Sequence, residues 1–338
     1  MSHCEETCHP APKLVAGSRP PACGYDADVI ILTRDRLPET LAAVDSALRQ
    51  RNMSFHVSVL DQGSAAPARR AYAAAFGAYP NVGYYVSEAN LGVAQGRNFL
   101  SALGSGKVIV ALDNDAVFAD DLVAARALAR FEQSPDLGII GFRIAARDGI
   151  LLDDFSWGYP QSLKLCAHGS FTTTTFVGAG HAIRRRAWIA AGGYDAMLFF
   201  TWEEYDFALR AIALGWQVRY EGALAVIHKV SPQARVAWQD ERMRLFVRNR
   251  LIVARKWDVS WIALLPRICG YILRAARSNA LGPALRGLAG AVAMDRLLLK
   301  RKMTPKMREY LKRNETRFRE SLLRSAYRHA LLQARADP

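Results

Sequence analysis

From Asp28 onward the apolar residues fall into two alternating rhythms. Val29-Ile-Ile-Leu-Thr33 is an unbroken apolar run of the kind found in strands covered on both faces, and Leu37, Leu41, Val44 and Leu48 then recur at helical spacing toward Gln50. Val57-Ser-Val-Leu-Asp61 repeats the strand, and an alanine-rich helix from Ala66 to Phe76 repeats the helix. Val82–Val86, a helix running through Leu103, Val108–Leu112, a helix over 120–131 and Gly138–Ile144 continue the series. Residues 145–170 carry no rhythm. Phe176–Ile183 is a further strand, whose glycines at 178 and 180 let a backbone or a substrate come close, and Val218–Tyr220 and Leu224–Ile227 follow. Strands alternating with helices at this spacing predict an α/β fold, a mostly parallel central sheet with helices on both faces.

Polar residues break the pattern at a few informative places. The strand 108–112 stops at Asp113-Asn114-Asp115, and the carboxyl ends of strands are where open α/β sheets bind ligands. Two carboxylates one residue apart suit a hard divalent cation that keeps its waters and takes diphosphate oxygens. The same triplet is also a good surface turn. Asp61-Gln-Gly-Ser64 is a polar turn at an equivalent strand end. Gly92 and Gly96 open a helix, but neither G-x-G-x-x-G nor the Walker A lysine pattern is present, which disfavours dinucleotide and ATP-hydrolysis chemistry. Glu203, Glu204 and Asp206 crowd one helix start, where acids complement the helix dipole. Trp202 and the aromatics before it surround them with apolar surface, which raises a carboxyl pKa and suits a general base. His228 ends an apolar run as a structural residue or as a ligand.

With 338 residues, 51% of them apolar, the chain holds one sizeable core with an appendage, or two domains. Its five cysteines are scattered and odd in number, which fits a reducing, cytoplasmic compartment. His3, Cys4, Cys8 and His9 lie in a Pro-rich leader, and residues 1–27 are expected to be disordered. Neither a secretory h-region nor an apolar stretch of membrane-spanning length occurs, so a protein neither secreted nor membrane-spanning is expected. Residues 1–240 carry 22 Lys/Arg and 24 Asp/Glu, whereas residues 241–338 carry 23 Lys/Arg and 7 Asp/Glu. The net charge of +14 therefore sits wholly in the C-terminal part, and either a domain boundary or a helical extension with a separate partner is expected near residue 240.

In their order along residues 28–230, these stretches resemble the inverting family 2 glycosyltransferases of GT-A fold. Thr33-Arg34-Asp35-Arg36 resembles the family's "T-x-N-R" turn, Leu60-Asp61-Gln-Gly-Ser64 its "V-D-N-G-S", and Asn90-Leu-Gly92 with Arg97-Asn98 its "N-x-G-x-x-x-x-R-N". Asp113-Asn114-Asp115 resembles the D-x-D metal motif, and Trp202-Glu203-Glu204-Tyr205-Asp206 the acidic "E-D-x-D" motif. The resemblance implies that Thr33, Arg36, Asp61, Asn90, Gly92, Arg97, Asp113 and Asn114 bind the nucleotide sugar, with Asp61 accepting from the base. It implies Mg²⁺ or Mn²⁺ at Asp113, Asp115 and His228. It also implies a catalytic base at Glu204, or at Glu203 beside it, and an acceptor site at Gly180, Trp202, Glu203 and Asp206. Asp35 and Glu204 depart from the family's Asn and Asp.

The donor implied is a UDP-, dTDP- or GDP-sugar. The acceptor is a saccharide or lipid-linked molecule of envelope polysaccharide or glycolipid synthesis, or else a soluble molecule or protein. A sugar-nucleotide binder without catalysis is the alternative that needs no base. The basic C-terminal helices either lie on an anionic membrane surface, at the inner face of the membrane, or pack on the catalytic domain with a solvated basic face. Nucleic acid is not an expected partner, since no recognised module accompanies the charge.

Overall fold

The computed structural model describes residues 10–229 and 240–315; His3, Cys4, Cys8 and His9 lie outside them. The parallel block of the sheet is built from β2 (Ala27–Thr33), β3 (Phe55–Gln62), β4 (Val82–Ser87) and β5 (Val108–Asp113), in the order β4-β3-β2-β5. Their register sets Thr33 beside Asp61 and Leu32 beside Asp113, so three strands end along one edge. Side chains along β2 alternate between two cores. Val29 and Ile31 face α1 (Leu37–Leu48), α2 (Ala66–Phe76) and α4 (Val123–Gln133), while Ile30 faces α3 (Gly92–Leu103), α5 (Arg185–Ala191) and α6 (Glu203–Ala213).

Beyond β5 the sheet contains antiparallel strands that the alternation does not predict. β9 (Gly180–Arg184) lies antiparallel between β5 and β7 (Leu137–Ala145), and β10 (Gln217–His228) runs parallel to β7. β6 (Ala116–Phe118) pairs antiparallel with the end of β10, opposing Ala116 to His228, and β8 (Ser170–Thr172) pairs with β10 as well. The leader needs a correction. Lys13–Gly17 forms β1, an antiparallel edge strand on β4, so the reading of 1–27 as disordered fails there: alternate residues of β1 cover the outer strand of the sheet.

The boundary expected near residue 240 does not divide the core. α7 (Asp240–Lys256) sends Met243, Val247, Leu251, Ile252 and Val253 into the cluster that holds Ile30, Leu60 and Phe207. Lys256 extends this contact, its ammonium 2.9 Å from Asp195 and hydrogen-bonded to Asp206, whose other oxygen accepts from Arg210 Nε at 2.8 Å. α8 (Trp261–Arg277) and α9 (Leu281–Met294) pack outside α7, while α10 (Pro305–Asn314) packs on α6 and its Tyr310 hydroxyl donates to the Thr173 carbonyl at 2.9 Å. No helix among the described residues is long and apolar enough to cross a membrane.

Arg210 still pairs Asp206 when Lys256 is removed, but one buried carboxylate oxygen loses its donor, so Lys256→Ala is expected to cost about 1–3 kcal/mol of stability. A chemical-denaturation midpoint unchanged by the substitution would remove α7 from the folding unit.

Candidate active site

The turn after β2 is held by a buried hydroxyl network. Thr33 Oγ1 lies 2.7 Å from Thr40 Oγ1 and 3.1 Å from the Tyr72 hydroxyl, and the Asn114 amide donates to it at 3.3 Å. Asp35 sits at φ +58°, a backbone region that short polar side chains tolerate, and its carboxylate accepts from Ala65 N at 2.7 Å. An Asp therefore serves here where the family's turn has Asn. Arg36 leaves the same turn and hydrogen-bonds Asp115.

Asp61 requires a correction. Its side chain is fully buried, one oxygen accepting from Ser64 N at 2.8 Å and the other from the Tyr84 hydroxyl at 2.6 Å. It shapes the turn from below, as Thr33 does, with both carboxylate oxygens already accepting hydrogen bonds from the protein. Gly92 is likewise a packing position: at φ +76°, any Cβ would lie 2.5 Å from the Phe199 carbonyl oxygen. That carbonyl accepts from Val93 N at 2.7 Å and so caps α3. Asn90 is exposed, and its side-chain oxygen accepts from Gly92 N at 2.9 Å.

At the end of β5, register and side-chain pairing bring Asp115 against His228. His228 Nε2 lies 3.3 Å from Asp115 Oδ1, and Nδ1 lies 2.8 Å from Asp153 Oδ2. Burial opposes charge on this imidazole, but its hydrogen bonds to Asp115 and Asp153 and the nearby carboxylate of Asp113 outweigh it, lifting its pKa to about 9. Burial also works against ionisation of Asp115, and His228 and Arg36 overcome it, holding the carboxyl below its usual range. Among the described residues no three His, Cys, Asp or Glu side chains already form a metal-ready cluster. Each motif carboxylate instead leans on an arginine, Asp115 on Arg36 and Asp113 on Arg97. The donor set nevertheless fits a divalent ion. Two carboxylates and an imidazole share one sheet edge, and a buried carboxylate orients the imidazole from behind. Asp153 lies in the stretch without rhythm, and nothing in its sequence neighbourhood marks it.

Arg97 ties this edge to the acidic motif. Buried on α3, it donates to Asp113 Oδ1 at 2.8 Å, to the Gly178 carbonyl at 2.8 Å and to Glu204 Oε1 at 3.1 Å. Gly178 leaves room for the Glu204 carboxylate: a Cβ there would stand 2.4 Å from Glu204 Oε1 and push it from its place. The two glutamates then differ. Burial raises both carboxyls, but Arg97 opposes the rise at Glu204, whereas the charge of Glu204 adds to it at Glu203, which is lifted well above its usual range. Glu203 Oε2 is buried without a hydrogen-bond partner, as suits a protonated acid.

The acceptor residues named from sequence divide in the same way. Trp202 stays half-buried at the site, its indole N–H donating to the Phe246 carbonyl at 3.0 Å and Arg250 lying over its ring. Asp206 is fully buried between Arg210 and Lys256, so it links α6 to α7 and touches no acceptor. Gly180 lies inside the sheet, where a Cβ would meet Val226 at 2.7 Å; the close neighbour is a core side chain and not a substrate.

The loop that carries Trp202 into α6 holds three non-glycine residues at positive φ: Phe199, Thr201 and Trp202. The buried Asn249 amide nitrogen faces three of its carbonyls, those of Leu198, Phe200 and Thr201, at 2.6, 2.9 and 3.0 Å. Nothing in the local sequence of Asn249 marks it for this role.

Residues 28–193 match the family Glycosyl transferase family 2. An uncharacterized protein of Haemophilus influenzae is 31% identical over 111 residues, which is 32% of this chain and 59% of that protein's length. The fold is similar to that of the mannosyltransferase PcManGT from Pyrobaculum calidifontis, solved with GDP-Man and Mn²⁺, with a TM-score of 0.52 at 14% identity over 95% of this chain and 83% of that one. It is also similar to GalNAc-T7, solved with UDP, GalNAc and Mn²⁺, with a TM-score of 0.53 at 14% identity over 69% of this chain and 48% of that one. The strand-end turns thus stand in a stretch, residues 28–193, that matches glycosyl transferase family 2, on a fold similar to that of GT-A glycosyltransferases, with the acidic motif just beyond the matched residues on α6.

Proposed function

We propose that the protein transfers a glycosyl group from a nucleoside diphosphate sugar to an acceptor hydroxyl in a single displacement that inverts the anomeric carbon. The observation that carries the reading is Arg97, one guanidinium bonded both to a carboxylate of the D-x-D motif and to Glu204. It sets the leaving-group end and the base end of the reaction within one side chain's span. Arg36, Asn90 and Asn114 line the donor side, and Trp202 the acceptor side.

In the reaction the acceptor oxygen bonds the anomeric carbon, the bond from that carbon to the diphosphate oxygen breaks, and the acceptor's proton passes to Glu204. Glu204 suits this task because it is hydrogen-bonded to Arg97, which favours its charged form, while Glu203 is turned inward, where burial and the charge of Glu204 disfavour its ionised form. Asp113, Asp115 and His228 would hold Mg²⁺ or Mn²⁺, which supplies charge stabilisation at the departing diphosphate. An imidazole ligates only when neutral. With His228 lifted to about 9, cation binding expels a proton, so affinity for Mn²⁺ in the presence of a nucleoside diphosphate is expected to rise as pH is raised toward that value. Calorimetric titration at several pH values checks this, and affinity independent of pH would take His228 out of the ligand set.

A lipid-linked or envelope saccharide is the acceptor that best accounts for the basic C-terminal part. Hydrolysis of a panel of UDP-, dTDP- and GDP-sugars, with and without Mn²⁺, tests the donor reading. Tight nucleotide-sugar binding with no turnover toward any acceptor would favour a binding protein instead.

A further inference from the structure

We propose that the outer face of α8 and α9 is a docking surface for an anionic lipid bilayer. α8 buries Leu264 and Ala275 toward the core, as a surface helix does, yet its opposite side is apolar too. Ile262 is 79% exposed, and Leu265 and Leu273 follow at 53% and 52%, at spacings that keep them on one side of the helix. α9 repeats the design: Ala284, Gly287 and Ala291 face α7, while Leu285 and Val292 are exposed. Leu297, just beyond α9, is 73% exposed. A helix apolar on both sides is ordinarily buried on both, so among the described residues this face has no apolar partner.

Charge identifies that partner. Residues 259–308 contain ten Lys/Arg and a single acid, Asp295, whose carboxylate is held by Arg255 at 2.7 Å. Arg277, Arg286 and Arg296 are exposed on the same helices and at their ends as the aliphatic side chains. Aliphatic residues interleaved with cations along two surface helices, neither able to span a bilayer, match a helix pair lying in the interface with its arginines at the lipid phosphates. A protein partner of acidic character would need carboxylates placed among apolar contacts. A bilayer presents a uniform layer of anions above hydrocarbon, which suits scattered arginines around scattered leucines.

The inference does not depend on the transfer reaction, and its test uses full-length protein with no donor or metal. In co-sedimentation with vesicles, the bound fraction is expected to rise steeply with the share of phosphatidylglycerol and to fall in high salt. Arg277→Gln/Arg286→Gln/Arg296→Gln is expected to weaken binding roughly a hundredfold at low ionic strength, at about fivefold per basic residue. Ile262→Glu/Leu273→Glu, both at exposed positions, is expected to abolish binding with the thermal midpoint unchanged. Equal sedimentation with neutral and anionic vesicles overturns the proposal, as does binding that survives both sets of substitutions. A dimer in light scattering that Ile262→Glu/Leu273→Glu converts to monomer would overturn it in favour of a second copy of this chain. Apolar substitutions that alter the thermal midpoint would assign the face to residues 316–338.

Discussion

Glu204→Gln is expected to keep nucleotide affinity and to lower kcat by about 10² or more, the scale of losing a general base. Glutamine retains the length of the side chain and an oxygen that can accept from Arg97 Nη1, so the packing against Gly178 and the position of Arg97 survive. What is lost is the capacity to take the acceptor's proton. Glu203→Gln should do far less, because Glu203 is turned into the core, where burial already disfavours its charge, and glutamine keeps its length and shape. The pH profile separates the two further. A base must be ionised to act, and burial lifts the Glu204 carboxyl above its usual value, so kcat should decline on the acid side starting at a higher pH than an exposed glutamate would give. If Glu203→Gln proved the more damaging, the base would be Glu203 and the enzyme class would stand.

Asp115→Ala is expected to abolish turnover together with metal-dependent nucleotide binding. The structure adds that Asp115 also holds Arg36 and His228, so alanine frees two cations at the strand edge as well as deleting a carboxylate. Asp115→Asn is the sharper variant: its amide oxygen still accepts from both neighbours, but the charge that a divalent ion needs is gone. Nucleoside diphosphate affinity, measured with Mn²⁺ and with EDTA, should differ strongly in the native protein and little in Asp115→Asn. Full activity of the native enzyme in excess EDTA would refute the metal role.

The parallel half of the fold is legible because each strand is a local apolar run and each helix a local period, and the D-x-D acids stand where such a strand must end. β9 is not legible in the same way. An antiparallel strand inserted between β5 and β7 has the same apolar composition as a parallel one, and only pairing with distant chain reveals its direction. The acidic motif shows a second limit. Glu203, Glu204 and Asp206 look like one charged surface in sequence, but the helical period turns Glu203, Asp206 and Arg210 inward and leaves Glu204 toward Arg97. The inward direction could be inferred from the period. That Asp206 meets Lys256, fifty residues onward, could not. Asp61 misleads for a related reason: a strand-end carboxylate serves a ligand or its own turn, and only the Tyr84 hydroxyl, supplied by the neighbouring strand, decides between them.

The hold of Asn249 on the loop before Trp202 has a consequence for the order in which the enzyme becomes active as it is made. Every strand of the described sheet, and every residue that we assign to donor, cation or proton transfer, is synthesised before α7. The carbonyls of Leu198, Phe200 and Thr201 wait for an amide that leaves the ribosome later, and Lys256 follows it. A nascent chain stalled before Asn249 therefore contains the whole chemistry with its base-bearing loop unclamped. Under the proposed function, the loop that carries the base is clamped only once α7, which contributes no assigned reacting group, is in place.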